Sequence, residues 1–187
     1  LVGSEMCIRD RVAAILILIA LLLVISGCGA NNSTDDTTEA ISLNQVGEYS
    51  GAPYVYLNNN MPYFTDEEKE NTKPFENYSS LDDLGRCGVA FANIYKELMP
   101  TEERGPIGQI KPSGWHTVKY NGIIDGNYLY NRCHLIGYQL TGENANELNL
   151  ITGTRYLNTE GMEGFENTVG DYVAEMENHV VWEDTKL

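Results

Sequence analysis

The chain has 187 residues, 42% of them hydrophobic, and a formal net charge of −15. That length suits one globular domain with appendages, and the acidic balance argues against a protein that holds nucleic acid mainly by bulk electrostatics. Four cysteines, Cys7, Cys28, Cys87 and Cys133, make no CxxC pair, which argues against a structural zinc site.

Residues 1–11 fit poorly with the apolar run after them, and two readings stand. One is a stray translated fragment. The other is a start at Met6 with Arg9 and Arg11 as a positive n-region. Val12 to Ile25 is unbroken and apolar. At ~1.5 Å per residue it is short for a bilayer core of roughly 30 Å, and it has the length of a signal-peptide h-region. Ile25-Ser26-Gly27-Cys28 comes next and resembles the lipobox of bacterial lipoproteins. The resemblance implies a diacylated Cys28 and a lipid anchor on the extracellular face of a cell membrane. An uncleaved signal anchor with an incidental cysteine is the other reading. Gly29 to about Gln45 is rich in Asn, Ser, Thr and Asp, and reads as a flexible tether. The expected organisation is a leader and signal peptide over 1–27, a tether over 28–49 and a domain over 50–187.

Within the domain, Pro53 to Leu57 is rich in β-formers and predicts a strand, ended by the turn residues Asn58 to Pro62. Thr65 with Asp66, Glu67 and Glu68 predicts a helix N-terminus. Residues 71–80 read as loop. Leu81 to Ile94 allows helix or strand by periodicity; Gly85 and Gly88 tip it towards strand. Pro100 to Gly114 is broken by Pro and Gly. Trp115 to Tyr120 alternates as a strand, Asn121-Gly122 and Asp125-Gly126 are turn dipeptides, and Asn127 to Tyr130 is a short strand leading into Asn131-Arg132-Cys133-His134. Thr141 to Asn146 is loop. Beyond Asn158 a helix is predicted, because Met162, Phe165, Val169, Tyr172, Val173 and Met176 recur at steps of three and four.

The chemistry gathers between Tyr128 and Glu166. A lone histidine is more often structural, but His134 has telling company. Its ordinary pKa of about 6.5 suits proton abstraction from water. Arg132 and Arg155 could hold a phosphate by charge-assisted hydrogen bonds. Asn158 offers a neutral oxygen to a hard cation such as Mg²⁺, which uses few protein groups. On an ideal α-helix, Glu166 would sit about 80° around from Asn158 and roughly 12 Å along, better placed to orient water than to share the metal.

Asn131-Arg132-Cys133-His134 resembles the Asp-Arg-Gly-His motif of the DNA/RNA non-specific endonucleases, the ββα-metal or His-Me finger nucleases. Asn149-Leu-Ile-Thr152 and Leu157-Asn158, with Glu166 eight residues on, resemble that family's second motif. Leu84-Gly85-Arg86 and Pro112-Ser-Gly-Trp115 add to a likeness with the secreted and lipoprotein nucleases of Gram-positive bacteria. It spans about residues 52 to 178. The resemblance implies an α+β fold, mainly antiparallel sheet with flanking helices, around a ββα-metal core. It implies His134 as general base, Asn158 as the direct ligand of one Mg²⁺ (Mn²⁺ a plausible substitute), and Glu166 as the orienter of water on the metal. Arg132 and Arg155, with Asn131 at the substrate, would bind phosphate. The product would carry 5′-phosphate ends, with low sequence specificity because backbone phosphate is what is contacted.

Asn131 stands where the family has Asp, and Cys133 where it has Gly. The family usually continues past the metal helix into further strands, so the domain is expected to be incomplete at its C-terminus. Cys87 and Cys133 either pair in a disulfide or stay as buried thiols. His116 reads as strand surface and His179 as a helix C-terminal residue. Three functions are carried. The first is a membrane-tethered extracellular nuclease acting on DNA or RNA, and the second an inactive nucleic-acid-binding lipoprotein. The third is a lipid-anchored binding protein of unrelated purpose. Mg²⁺-dependent cleavage separates the first from the others.

Overall fold

Residues 43–176 and 178–184 are described by a computed structural model, and all lie in the unit Thr38–Leu187. The expected signal peptide, the Cys28 lipobox and most of the tether lie outside the described residues. Among the described residues no helix is long and apolar enough to cross a membrane.

The core grows from a short strand of small residues. β2 (Ala90–Ile94) buries Ala90, Ala92, Asn93 and Ile94, and lies between β1 (Phe75–Tyr78) and β5 (Val180–Asp184) in a three-stranded antiparallel sheet. Leu135, Ile136 and Leu140 pack on it together with Val173. Val173 comes from helix α3 (Glu163–Met176), and Leu140 from the short helix α2 (Tyr138–Thr141). The second sheet is the antiparallel pair β3 (Tyr130–His134) and β4 (Leu150–Thr154), in register from Tyr130↔Thr154 to His134↔Leu150. Two strands and then a helix give the α+β arrangement of a ββα core. The Trp182 indole N–H donates to the Leu135 carbonyl at 3.2 Å and ties the two sheets at the exit of β3.

Several expectations hold. Helix α1 (Asp66–Glu70) starts at a capping box, with the Thr65 hydroxyl accepting from Glu68 N–H and the Glu68 carboxylate accepting from Thr65 N–H. The turn dipeptides fold as turns, with Gly122 and Gly126 at positive φ. Others need correction. Pro53 to Leu57 forms no strand: Tyr54 lies edge-on to Phe165 at 4.8 Å and to Tyr56 at 5.5 Å, and Tyr54, Val55 and Tyr56 stay largely exposed, with one ring contact to a helix in place of a ladder. Residues 71–80 contain β1, whose approach is fixed by the buried Asn93 amide donating to the carbonyls of Asn71 (2.6 Å) and Lys73 (3.1 Å). Only Ala90–Ile94 of the 81–94 stretch is strand, because Asp82 accepts from the N–H groups of Leu84 and Arg86 and turns the chain. Trp115 to Tyr120 keeps a single bridge, Lys119↔Tyr128, where the expected strand has no longer partner beside it. His116 accordingly lies in a loop, and His179 lies after α3 with its ring stacked on Tyr95 at 4.8 Å. β5 is an element that the sequence pattern does not predict.

Cys87 and Cys133 are buried thiols and are not joined to each other. The Cys87 thiol donates towards the carbonyls of Glu147 and Leu150, both at 3.3 Å.

Candidate active site

Alternation along β3 puts Tyr130, Arg132 and His134 on one side of the ladder. His134 closes the strand and is only 6% exposed. The chain beyond it is pinned by the buried Asn149, whose side-chain oxygen accepts from Ile136 N–H at 2.9 Å. Its amide donates to the Ile136 carbonyl at 3.0 Å. Asn149 thus acts as a surrogate strand neighbour for one residue, which gives the Asn-Leu-Ile phrase a structural meaning.

The imidazole Nε2 lies 2.8 Å from the Asn144 carbonyl. A carbonyl only accepts, so Nε2 carries the proton and Nδ1 presents a lone pair. That lone pair faces the Arg104 guanidinium, with Nη2 at 3.3 Å. Burial holds the His134 pKa below its ordinary value. The Asn144 carbonyl works against that shift, and the Arg104 charge adds to it. The ring is therefore a neutral, oriented acceptor at neutral pH.

Arg104, Asn131, Arg132, Arg155 and Asn158 line one groove of about 610 Å³. Arg132 is heavily engaged there. Its Nε donates to the Ile110 carbonyl at 2.5 Å, Nη2 donates to the Gly108 carbonyl at 3.0 Å, and its Cζ lies over the Trp115 ring, 3.7 Å from the centroid. It fastens the 108–110 loop to the groove wall. Arg155 pairs with Asp125 at 2.8 Å, and its backbone N–H donates to the Leu129 carbonyl at 2.7 Å. Asn158 is half-buried in a π-helical turn, Leu157–Met162, that runs straight into α3. The wider i→i+5 turn replaces the ideal α-helical spacing expected between Asn158 and Glu166, and such turns recur at functional sites.

Glu166 is not among the residues of the groove wall. It packs against Gly137, where an added Cβ would lie 2.7 Å from the carboxyl carbon. It accepts a hydrogen bond from the Gln139 amide at 2.9 Å. Burial pushes its pKa up; Gln139 opposes this, Glu163 adds to it, and Arg104 opposes it. Arg104 is thus the group common to the groove, to His134 and to the field at Glu166. The motifs do not reveal it. It sits in the Pro- and Gly-broken loop, 30 residues before His134, and only the fold brings the two together. That loop is anchored by the Tyr138 hydroxyl donating to the Glu102 carbonyl at 2.7 Å.

The oxygen donors present, the Asn158 amide and the Glu166 carboxylate, are the kind a hard divalent cation accepts while keeping most of its waters. Among the described residues no three His, Cys, Asp or Glu side chains gather to form an all-protein chelate. A second cavity, about 420 Å³ and largely apolar, is walled by Leu135, Leu150, Ile151, Leu157 and Met162, and no candidate site residue lines it.

The profile of the DNA/RNA non-specific endonuclease family matches residues 64–184. Among solved structures, NucA from Streptococcus agalactiae with magnesium bound is similar at 24% identity and a TM-score of 0.55, over 63% of this chain and 58% of that one. The same protein without metal gives 23% identity and a TM-score of 0.52, over 64% of this chain and 59% of that one. Sda1 nuclease with zinc bound gives 25% identity and a TM-score of 0.49, over 60% and 61%. The chain therefore spans under two thirds of the length of these structures. No curated protein matches it. With the family profile covering well over half of its residues, the chain belongs to the DNA/RNA non-specific endonuclease family.

Proposed function

We propose that the protein is an endonuclease that hydrolyses phosphodiester bonds of DNA, RNA or both. The observation that carries this is the locked tautomer of His134, whose Nδ1 lone pair faces the Arg104 guanidinium, a group that itself lines the groove with Arg132 and Arg155. As Arg104 exchanges this nitrogen for the phosphate, His134 Nδ1 takes a proton from water while the water oxygen bonds to phosphorus. The bond from phosphorus to the 3′ oxygen breaks, solvent protonates that oxygen, and the phosphate stays on the 5′ end. Arg104 and Arg155 neutralise the charge that grows on the phosphate, Arg155 exchanging Asp125 for the substrate. Arg132 keeps the groove wall in place, and Asn131 faces the same groove.

A divalent cation, Mg²⁺ or in its place Mn²⁺, supplies Lewis-acid stabilisation when bound. Asn158 would hold it and Glu166 would orient the water around it. NucA from Streptococcus agalactiae, with its magnesium, supports the choice of metal. Asn158→Ala is expected to abolish Mg²⁺-dependent cleavage of plasmid and total RNA, with the circular dichroism spectrum kept. Retained cleavage with an unchanged Mg²⁺ requirement contradicts the ligand assignment.

The same reading extends to location. Cys28 is proposed as a lipidated residue that tethers the enzyme to the extracellular face of the membrane, supported by the Ile25-Ser-Gly-Cys28 sequence and the apolar run before it. Labelling of expressing cells with a tagged fatty acid should mark the protein and fail for Cys28→Ser. Equal labelling of both contradicts it.

A further inference from the structure

The wall of the groove is more aromatic than phosphate binding requires. Trp115, Tyr128 and Tyr130 all line it. Tyr128 is 43% exposed. It lies two residues before β3, and its side chain shares the groove wall with Tyr130 and Arg132. The Lys119 ammonium sits 4.5 Å from the Tyr128 ring centroid, across the bridge that pairs the two residues. The bond from Arg155 N–H to the Leu129 carbonyl, at 2.7 Å, sets this ring beside a phosphate-binding candidate.

Electrostatics alone would serve this groove poorly. The chain carries a net charge of −15, and Arg132 and Arg155 already have protein acceptors. Affinity for a polyanion by counterion release is correspondingly limited. Stacking of bases on rings adds binding energy that does not depend on net charge and tolerates any sequence. A base paired inside a duplex cannot lie on such a ring; an unpaired one can.

We propose that Tyr128, backed by Lys119, is a base-stacking subsite that makes this protein favour unpaired strands of nucleic acid over duplex. Tyr128 lies six residues before His134, two of them ahead of β3, so at roughly 3.3 Å per residue the separation is at most about 20 Å. It therefore engages a nucleotide beyond the one being cut. The proposal rests on the nuclease reading only for the polymer that enters the groove.

The test measures binding and cleavage separately. Full-length His134→Ala protein is titrated, by fluorescence anisotropy, with a labelled single-stranded oligonucleotide and with its duplex. Tyr128→Ala, Tyr128→Leu and Tyr128→Phe are then added to that background. Alanine and leucine should each weaken single-strand binding about tenfold and lower the single-strand to duplex ratio, and phenylalanine should restore it. An unchanged ratio in the alanine variant, or leucine binding as well as phenylalanine, overturns the proposal. Cleavage by the wild type with Mg²⁺ is measured in parallel. No cleavage with a collapsed ratio for Tyr128→Ala removes the nuclease reading and leaves the subsite. Cleavage with an unchanged ratio removes the subsite alone.

Discussion

His134 donates from Nε2 to the carbonyl oxygen of Asn144 at 2.8 Å, and this bond leaves the Nδ1 lone pair to accept from the Arg104 guanidinium at 3.3 Å. Burial and the Arg104 charge keep that ring neutral below the ordinary histidine pKa of about 6.5. The acid limb of kcat/KM, which reports the free enzyme, should fall below pH ~6.5. An acid limb centred above that value contradicts the environment described for the base. The same shift has a stability sign. Between the depressed folded pKa and the unfolded one, the unfolded chain binds more protons, so stability declines as pH falls through ~6.5. Melting temperatures should show that decline, and His134→Ala should lessen it.

Arg104 acts on the same nitrogen from the other side. Arg104→Ala is expected to cost about a hundredfold in kcat, the scale for losing one charge-stabilising donor. Because the guanidinium helps to hold the His134 pKa down, the acid limb should also move up in this variant. A merely structural arginine would not move the limb, so a full pH profile of the variant distinguishes the two roles.

Asn149 should prove a stability residue. Asn149→Ala leaves the N–H and carbonyl of Ile136 without their side-chain partner in a buried site. Each unsatisfied group costs about 1–3 kcal/mol, which urea unfolding can measure. A change within ±0.5 kcal/mol, typical of surface positions, would contradict the pinning role.

The Cys133 thiol is buried, and burial pushes its pKa up to about 12. Native protein should resist alkylation at this position and react only on unfolding. Its sulfur is accommodated by Gly153, where an added Cβ would lie 2.6 Å from Sγ. Gly153→Ala should therefore destabilise by about 1–3 kcal/mol through overpacking, and Cys133→Gly in the same chain should recover part of the loss. Rapid thiol modification of the native protein would contradict the burial.

The residues legible from sequence alone are the set with fixed spacing: Asn131, Arg132 and His134 on a strand, Asn158 and Glu166 on one helical run. Motifs carry such groups because local geometry orders them. Arg104 escapes because its position depends on a loop tied through Tyr138 to a distant element, and a loop of Pro and Gly has no period to read. The π-helical turn at Leu157–Met162 escapes for a related reason, since the apolar steps of three and four begin only at Met162, where the turn ends. Pro53 to Leu57 misleads because β propensity reports fit to a half-buried pleated surface, and here Tyr54 has only the ring of Phe165 on a helix while Val55 and Tyr56 stay exposed. β1 is hidden because Phe75-Glu-Asn-Tyr78 is an edge strand of mixed polarity, held at its start by Asn93.

The most direct measurement is digestion of plasmid and total RNA by the purified protein with Mg²⁺, with EDTA, and with His134→Ala. Cleavage that needs Mg²⁺ and vanishes in the histidine variant is the predicted result. A cooperatively folded wild type that leaves both substrates intact, or a His134→Ala protein that cleaves as fast as the wild type, would contradict it.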